Sequence, residues 1–203
     1  MPEGENPWLR ENFQRNCITR GLTIANNNDL IIISDADEIP NPEKIVKFNL
    51  KKKYGVFEQK QYYYKFNLLN ISNPIWRGSK ACVKKYLISP QWLRELKIKN
   101  RPFWRIDKKD LNYAIEDGGW HFCNLKNPQQ LLFKYKNLCE YKDNYIFFNN
   151  IDEKFLNEKI IEENIRNQKD IIGRNDIYEK QIIDNKYPKY ILENIKIFKD
   201  WII

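Results

Sequence analysis

The chain has 203 residues, and its 35 lysines and arginines against 27 aspartates and glutamates give a net charge of +8. Hydrophobic residues make up 42% and charged residues 31% of the sequence, a balance that excludes a disordered tail and a collagen-like rod. The longest aliphatic run, Leu30–Ile33, is far shorter than the roughly 20 residues of a membrane-spanning helix. We therefore expect one globular domain over residues 1–203.

Helix starts are marked by side-chain acceptors that directly precede a proline, which is favoured at the first helical position because its missing N–H costs nothing there. These pairs are Asn6-Pro7, Asn41-Pro42, Ser89-Pro90 and Asn127-Pro128. A first helix is predicted over residues 7–20, with Gly21 as its stop. Further helices are predicted over residues 90–97, 128–138, 153–167 and 187–202.

Strands are predicted where β-branched residues run between turn signals. The run Leu30–Ile33 follows three asparagines and favours a strand buried on both faces, as found inside a parallel sheet. Further strands are predicted over residues 55–66, 80–83 and 119–122. The early order of helix, strand and helix predicts an α/β fold.

Three carboxylates, Asp35, Asp37 and Glu38, follow the predicted strand Leu30–Ile33. Ligands bind outside the carboxyl ends of strands in open α/β sheets. Carboxylates so close together repel one another unless something positive lies among them, and Mg²⁺ or Mn²⁺ bridging to a phosphate meets that need. The alternative is a solvated acidic turn at the start of the next helix, with Glu38 serving that helix.

Two motifs make the chain recognisable. The segment from Asp35 to Pro40, reading DADEIP, and the segment from Gly118 to Phe122, reading GGWHF, closely resemble glycosyltransferase family 17. The segments at residues 11–16 and 187–194 are similar to those of the family as well. The likeness covers nearly the whole chain.

The resemblance implies a GT-A-like, Rossmann-like fold, a divalent metal and a nucleotide-sugar donor, with Mn²⁺ or Mg²⁺ and UDP-GlcNAc as the expected pair. Asp37 would bind the metal that bridges the diphosphate, and Asp35 would face the ribose or a metal-bound water. The metal would neutralise the leaving diphosphate. Transfer of a GlcNAc-like sugar with inversion also needs a base for the acceptor hydroxyl.

The single histidine, His121, belongs to the second motif. It is expected to act as a further metal ligand or as a donor to a phosphate or an acceptor hydroxyl, against a purely structural role. Glu116 and Asp117 are candidates for the base, and Asp117 is the nominal choice, although carboxylates beside a Gly-Gly turn often serve the turn alone.

Donor and acceptor contacts are predicted from aromatic and basic residues. Arg15 is expected to touch the diphosphate, and Trp76 and Gly78 to approach the donor. The tyrosines at 62–64, the segment 76–78 and the segment 103–105 are candidates for an acceptor platform, with core filling as the alternative.

Relative to the family, the chain is expected to lack an N-terminal region with the first strand, which leaves open an inactive carbohydrate- or partner-binding remnant. Two alternative functions are a basic nucleic-acid-binding module and a phosphatase that uses the Asp-x-Asp motif. The sequence contains neither an RNP-like aromatic pair nor a GXXG clamp, the motifs that would support nucleic-acid binding. The expected partners are a nucleotide sugar and a glycan or glycolipid acceptor, without nucleic acid. The expected location is the cytoplasm, with peripheral contact at the inner membrane face.

Overall fold

A computed structural model describes residues 7–98, 113–137 and 157–203. Helices and strands are mixed over these ranges, in agreement with the predicted α/β class. The described residues form two compact units, and each is treated by itself below. The first unit takes the described residues up to Gln59 and those of Trp76–Trp120, and the second takes Lys60–Ile75 and the described residues from His121 onward.

Short helices and strands alternate along the described chain. The helices are α1 (Pro7–Asn16), α2 (Pro42–Val46), α3 (Pro90–Glu95), α4 (Pro128–Asn137), α5 (Glu158–Arg166) and α6 (Lys189–Glu193). Turns of 3-10 helix cover Cys17–Leu22, Lys84–Tyr86 and Lys199–Trp201. The strands are β1 (Leu30–Ile33), β2 (Glu38–Pro40), β3 (Tyr54–Tyr63), β4 (Leu68–Asn70), β5 (Ile75–Trp76), β6 (Lys80–Val83), β7 (Ala114–Cys123) and β8 (Tyr178–Lys180). None of the helices in these ranges combines the length and the apolar character needed to cross a bilayer.

In the first unit, β1 pairs antiparallel with β6, and Leu30 lies opposite Val83. Strand β6 pairs antiparallel with β3 in turn, with Tyr54 opposite Cys82. The bounds predicted for β1 and β6 are confirmed, but the parallel setting predicted for β1 is wrong. A continuous aliphatic run reports burial on both faces of a strand and carries no information about the direction of its neighbour.

Two apolar clusters explain why β1 is aliphatic throughout. Ile31 and Ile33 lie in a cluster that includes Leu93 of α3, and Leu30 and Ile32 pack against a second cluster that includes Phe57. Every side chain of the strand therefore contacts apolar groups. The acidic loop that follows β1 starts from a rigid support.

The second unit is built around aromatic rings and one buried ion pair. Its core joins Tyr63, Tyr64 and Tyr178 to aliphatic residues of α4 and α5. The Asp170 carboxylate accepts hydrogen bonds from the hydroxyl groups of Tyr64 and Tyr178, at 3.0 and 2.8 Å. It also accepts one from Arg174 Nη2 at 2.7 Å. Burial would raise the pKa of Asp170, but Arg174 outweighs it and holds that pKa below its ordinary value.

Side-chain caps confirm three of the predicted helix starts. Asn41 accepts from the N–H of Glu43, and Ser89 accepts from that of Trp92. Asn127 and Gln130 cap each other reciprocally, with N···O distances of 2.8 and 3.2 Å. Asn6 lies outside the described residues.

Two predicted helices are shorter than expected. The first becomes a 3-10 turn after Asn16, and the last is split into α6 and the 3-10 turn Lys199–Trp201. Asn194 follows α6, and its side-chain amide donates to the carbonyl of Tyr190 at 2.9 Å. Such local side-chain bonds compete with helix propagation, which explains the split.

Replacing the buried Asp170 by Asn should destabilise the protein by about 3 kcal/mol, because Arg174 then keeps only its longer contact to Asp176, at 3.5 Å. The measurement is the free energy of unfolding from urea titration. The exposed pair Lys189–Glu193 supplies the control, and Glu193→Gln should change that free energy by less than about 0.5 kcal/mol. Equal effects of the two variants would show that Asp170 is not a support of this core.

Candidate functional site

The acidic loop after β1 turns one of its three carboxylates inward. Asp35 and Asp37 are half-buried, whereas the side chain of Glu38 is only 1% exposed. Glu38 begins β2, which pairs with β7. The loop therefore presents two aspartates and anchors itself through the glutamate.

The Glu38 carboxylate receives five hydrogen bonds. Arg94 donates to both of its oxygens, at 2.7 Å from Nη1 and 2.9 Å from Nη2. Trp76 Nε1 donates to Oε1 at 2.7 Å, and the Ser79 hydroxyl donates to Oε2 at 3.0 Å. The backbone N–H of Asp35 donates to Oε2 at 3.1 Å. A buried carboxylate is stable only when its lone pairs are satisfied in this way.

The charges of this cluster shift one another's pKa values. Burial would raise the pKa of Glu38, but the hydrogen bonds and the charge of Arg94 outweigh burial and hold that pKa below its ordinary value. Burial likewise works to lower the pKa of Arg94, and the carboxylates of Glu38, Asp35 and Asp37 raise it above its ordinary value. Both groups are therefore charged at neutral pH.

Helix α3 positions Arg94, and a lysine of β6 secures the end of that helix. Ser89 caps its first turn, and Leu93 is fully buried. The ammonium of Lys80 donates to the backbone carbonyls of Arg94 and Leu96, which the helix itself leaves without partners. Burial and the neighbouring charge of Arg94 lower the pKa of Lys80 to about 8.

Asp35 joins Arg94 to the first helix. Its Oδ2 accepts from Arg94 Nη2 at 2.5 Å, and its Oδ1 accepts from Arg15 Nη2 at 3.4 Å. Arg15 also donates to Gln91 and to Glu11, at 2.5 and 2.8 Å. The diphosphate contact of Arg15 stays a prediction, and the structure places this side chain beside the acidic loop.

Trp76 and Gly78 lie against the Glu38 carboxylate. A Cβ atom on Gly78 would meet Glu38 Oε1 at 1.8 Å and Trp76 Nε1 at 2.1 Å. The glycine is thus required by the hydrogen bond between the indole and the carboxylate. The donor contacts predicted for Trp76 and Gly78 stay predictions.

Asp117 stands at a kink in β7. Its φ is 49°, in the left-handed region that a non-glycine residue rarely adopts. The Asn41 amide donates to its carbonyl at 3.3 Å, and the backbone N–H of Asn41 donates to the carbonyl of Gly118 at 2.8 Å. A Cβ atom on Gly119 would meet the carbonyl oxygen of Ile39 at 2.1 Å. Gly119 therefore lets β7 approach the end of the acidic loop.

His121 and the tyrosines at 62–64 belong to the second unit. His121 is 5% exposed and lies in β7, within a run of five buried residues. Tyr62, Tyr63 and Tyr64 are all buried, and their rings pack against other aromatic rings of the core. These tyrosines fill the core and do not form an acceptor platform. Residues 103–105 lie outside the described residues.

Sequence reasoning misses the central pair. The sequence presents Glu38 as one of three clustered carboxylates, with service to the next helix as the alternative, and it does not single out Arg94. A signal is present, because Arg94 is one of only two basic residues, with Lys97, in the helix predicted over residues 90–97, and its neighbour Leu93 is buried. Only the fold brings that helix to the loop, 56 residues away in sequence.

Comparison with protein families decides the class of the chain. The model of glycosyltransferase family 17 matches residues 1–199 of the 203. The chain belongs to this family. No curated protein and no solved structure matched in the corresponding comparisons. Membership confirms the resemblance seen in the sequence and makes this chain a glycosyltransferase, an enzyme class that takes a nucleotide-sugar donor and a glycan acceptor.

Glu38→Gln should destabilise this glycosyltransferase by about 3 kcal/mol at pH 7, because Arg94 then lies opposite a neutral group and keeps only the more exposed Asp35 as its ion-pair partner. The native pKa of Glu38 lies below its ordinary value of 4.5. The stability that Glu38 contributes is therefore complete above pH 4.5 and lost as the pH falls through the native value.

The difference in unfolding free energy between the parent and Glu38→Gln should consequently shrink as the pH falls below 4.5. Urea titrations from about pH 7 to about pH 3 measure it. Glu43→Gln, at an exposed position of α2, is the control and should follow the parent at every pH. A difference that stays constant with pH would contradict the charged state assigned to Glu38.

Gly78→Ala should destabilise the protein by roughly 3 kcal/mol, because the added methyl group forces Trp76 away from Glu38. Gly21→Ala is the matched control, since a Cβ atom there meets nothing within 4 Å. We expect the control to be neutral or slightly stabilising. Thermal unfolding of both variants tests the pair, and a neutral Gly78→Ala would refute the close packing at this glycine.

Proposed function

We propose that this family 17 chain is a metal-dependent, inverting glycosyltransferase of GT-A type. It transfers a GlcNAc-like sugar from UDP-GlcNAc to a glycan or glycolipid acceptor. The observation that carries the proposal is the acidic loop at the end of β1, which the buried Glu38–Arg94 pair holds in place. A loop fixed in this way keeps two aspartates at the surface of a rigid core.

The carboxylates of the loop suit a hard divalent cation. Both oxygens of Asp35 receive hydrogen bonds from arginines, and Asp37 is the residue that the family resemblance assigns to direct ligation. Mg²⁺ and Mn²⁺ bind proteins through one or two carboxylates and complete their coordination with substrate phosphates. One carboxylate from this loop and a diphosphate from the donor meet that preference.

When bound, the cation would supply Lewis-acid stabilisation of the leaving diphosphate. The chain's own residues provide the rest. Asp37 holds the cation, and Asp35 keeps Arg94 and Arg15 at the side of the loop, where their positive charge favours an anionic donor.

The acceptor hydroxyl must lose a proton as the sugar is transferred, and we assign that proton to the Asp117 carboxylate. Asp117 is exposed, and the backbone contacts of Asn41 hold the kink in which it stands. The metal-ligand or donor role predicted for His121 stays a prediction from the sequence.

Mn²⁺ together with UDP-GlcNAc should raise the melting temperature of the chain. A ligand at a hundredfold excess over its Kd stabilises the native state by about 2.7 kcal/mol, which corresponds to a shift of several degrees. Asp37→Asn should abolish the shift and the transfer of sugar, because the amide is a poor ligand for a hard cation. Differential scanning fluorimetry and a donor-turnover assay measure the two effects.

Glu43→Gln is the matched control, because it removes one exposed carboxylate close to the loop and should leave both readouts unchanged. A shift that persists in Asp37→Asn would contradict the assignment of Asp37. Salt-dependent oligonucleotide binding that Asp37→Asn does not affect, without any response to UDP-, GDP- or CDP-sugars, would favour nucleic-acid binding instead.

A further inference from the structure

The second unit contains a cavity of about 570 Å³ that the proposed chemistry does not use. It opens between Lys65, two residues after β3, the start of α4, one face of α5 and the 3-10 turn Lys199–Trp201. The volume lies within the range of roughly 300–1,000 Å³ that is typical of small-molecule sites. Such a cavity has room for one or two sugar rings.

Trp201 forms an aromatic wall of this cavity and is held on several sides. Its backbone carbonyl accepts from the N–H of Phe66 at 2.8 Å, and its own N–H donates to the carbonyl of Phe198 at 2.8 Å. The ammonium of Lys65 lies 5.9 Å from the centre of the indole ring and donates to the carbonyl of Asp200 at 2.7 Å. The backbone at Trp201 is therefore anchored, and the ammonium of Lys65 lies over its indole ring.

The rim of the cavity carries charges of both signs. Lys65, Lys126 and Arg166 contribute positive charges, and Glu162 and Asp200 contribute negative ones. Arg166 Nη2 and Glu162 Oε1 lie 3.3 Å apart, at the exposed edge. A phosphate here would meet two carboxylates, whereas sugar hydroxyl groups can donate to the carboxylates and accept from the cations.

The combination of an indole ring and charges of both signs suits a neutral carbohydrate. The C–H face of a pyranose ring stacks on an aromatic ring, and its hydroxyl groups need donors and acceptors at the edge. We propose that this cavity binds sugar units of the acceptor glycan, with Trp201 under one ring and Glu162 and Arg166 at its hydroxyl groups. That the bound sugar is the acceptor rests on the proposed function.

The binding test uses the full chain without nucleotide or metal. Neutral trisaccharides of mannose, of glucose and of N-acetylglucosamine serve as probes in saturation-transfer NMR and calorimetric titration. At least one probe should bind, and Trp201→Ala should abolish its binding. The double variant Glu162→Gln with Arg166→Gln, at two exposed positions, should weaken binding at least fivefold without loss of folding.

Lys189→Gln with Glu193→Gln removes an equally exposed ion pair that does not line the cavity, and this control should bind as the parent does. The proposal is overturned if no neutral trisaccharide binds or if the rim variant binds as tightly as the control. Inorganic phosphate that displaces the probe would also overturn it, because the cavity would then be an anion site.

The melting-temperature shift with Mn²⁺ and UDP-GlcNAc separates the acceptor cavity from the donor chemistry of the acidic loop. If the melting-temperature shift depends on Asp37 but no saccharide binds, the saccharide-binding proposal for the cavity is refuted and the proposed transferase mechanism is not affected. If saccharide binding depends on Trp201 but Mn²⁺ and UDP-GlcNAc do not shift the melting temperature, the cavity is a carbohydrate site. The bound sugar is then not assigned to the acceptor of the transferase. Both responses together support the acceptor site.

Discussion

The buried ion pair between Glu38 and Arg94 gives the acidic loop its shape. Two parallel hydrogen bonds fix the carboxylate and the guanidinium in one plane, and three further donors satisfy the remaining lone pairs of Glu38. Breaking such a pair leaves one charge buried without compensation, which is far more costly than losing an exposed pair. The loop, β2 and α3 are therefore held together by electrostatics as much as by apolar packing.

The same arginine links structure to chemistry. Arg94 also contacts Asp35, so the residue that anchors the loop influences the charge that the loop presents. Asp37 lies two residues beyond Asp35 and directly before the anchored Glu38, which restrains its backbone from both sides. In a glycosyltransferase this arrangement places a candidate metal ligand on a support that needs little reorganisation when a donor binds.

The sequence is informative where local chemistry decides the structure. The caps at Asn41, Ser89 and Asn127 and the aliphatic run of β1 can be predicted because each depends on neighbours in the chain. The antiparallel pairing of β1 with β6 cannot, since burial on both faces is compatible with either direction. The ordered motifs lead to the right family, and that inference does not require the fold.

The inward turn of Glu38 shows a second limit on what the sequence alone can predict. Three carboxylates in four residues look equivalent in a sequence, and their roles separate only when an arginine from a distant helix reaches one of them. The same holds for the tyrosines at 62–64, whose pattern fits an exposed platform and a buried core equally well. The burial of Tyr63 and Tyr64 depends on α4, α5 and residues near Asp170, and Tyr62 packs against Phe122 and Tyr187. No local pattern connects these residues to the three tyrosines.

Three consecutive residues, 78–80, each support the cluster around Glu38 and Arg94. Gly78 leaves room for the indole, Ser79 donates to the carboxylate, and Lys80 closes the helix that carries Arg94. A deletion or insertion of a single residue here would displace all three supports at once, because they follow one another directly along the backbone. We therefore expect the length of this segment to be under stronger constraint than the identity of most residues around it.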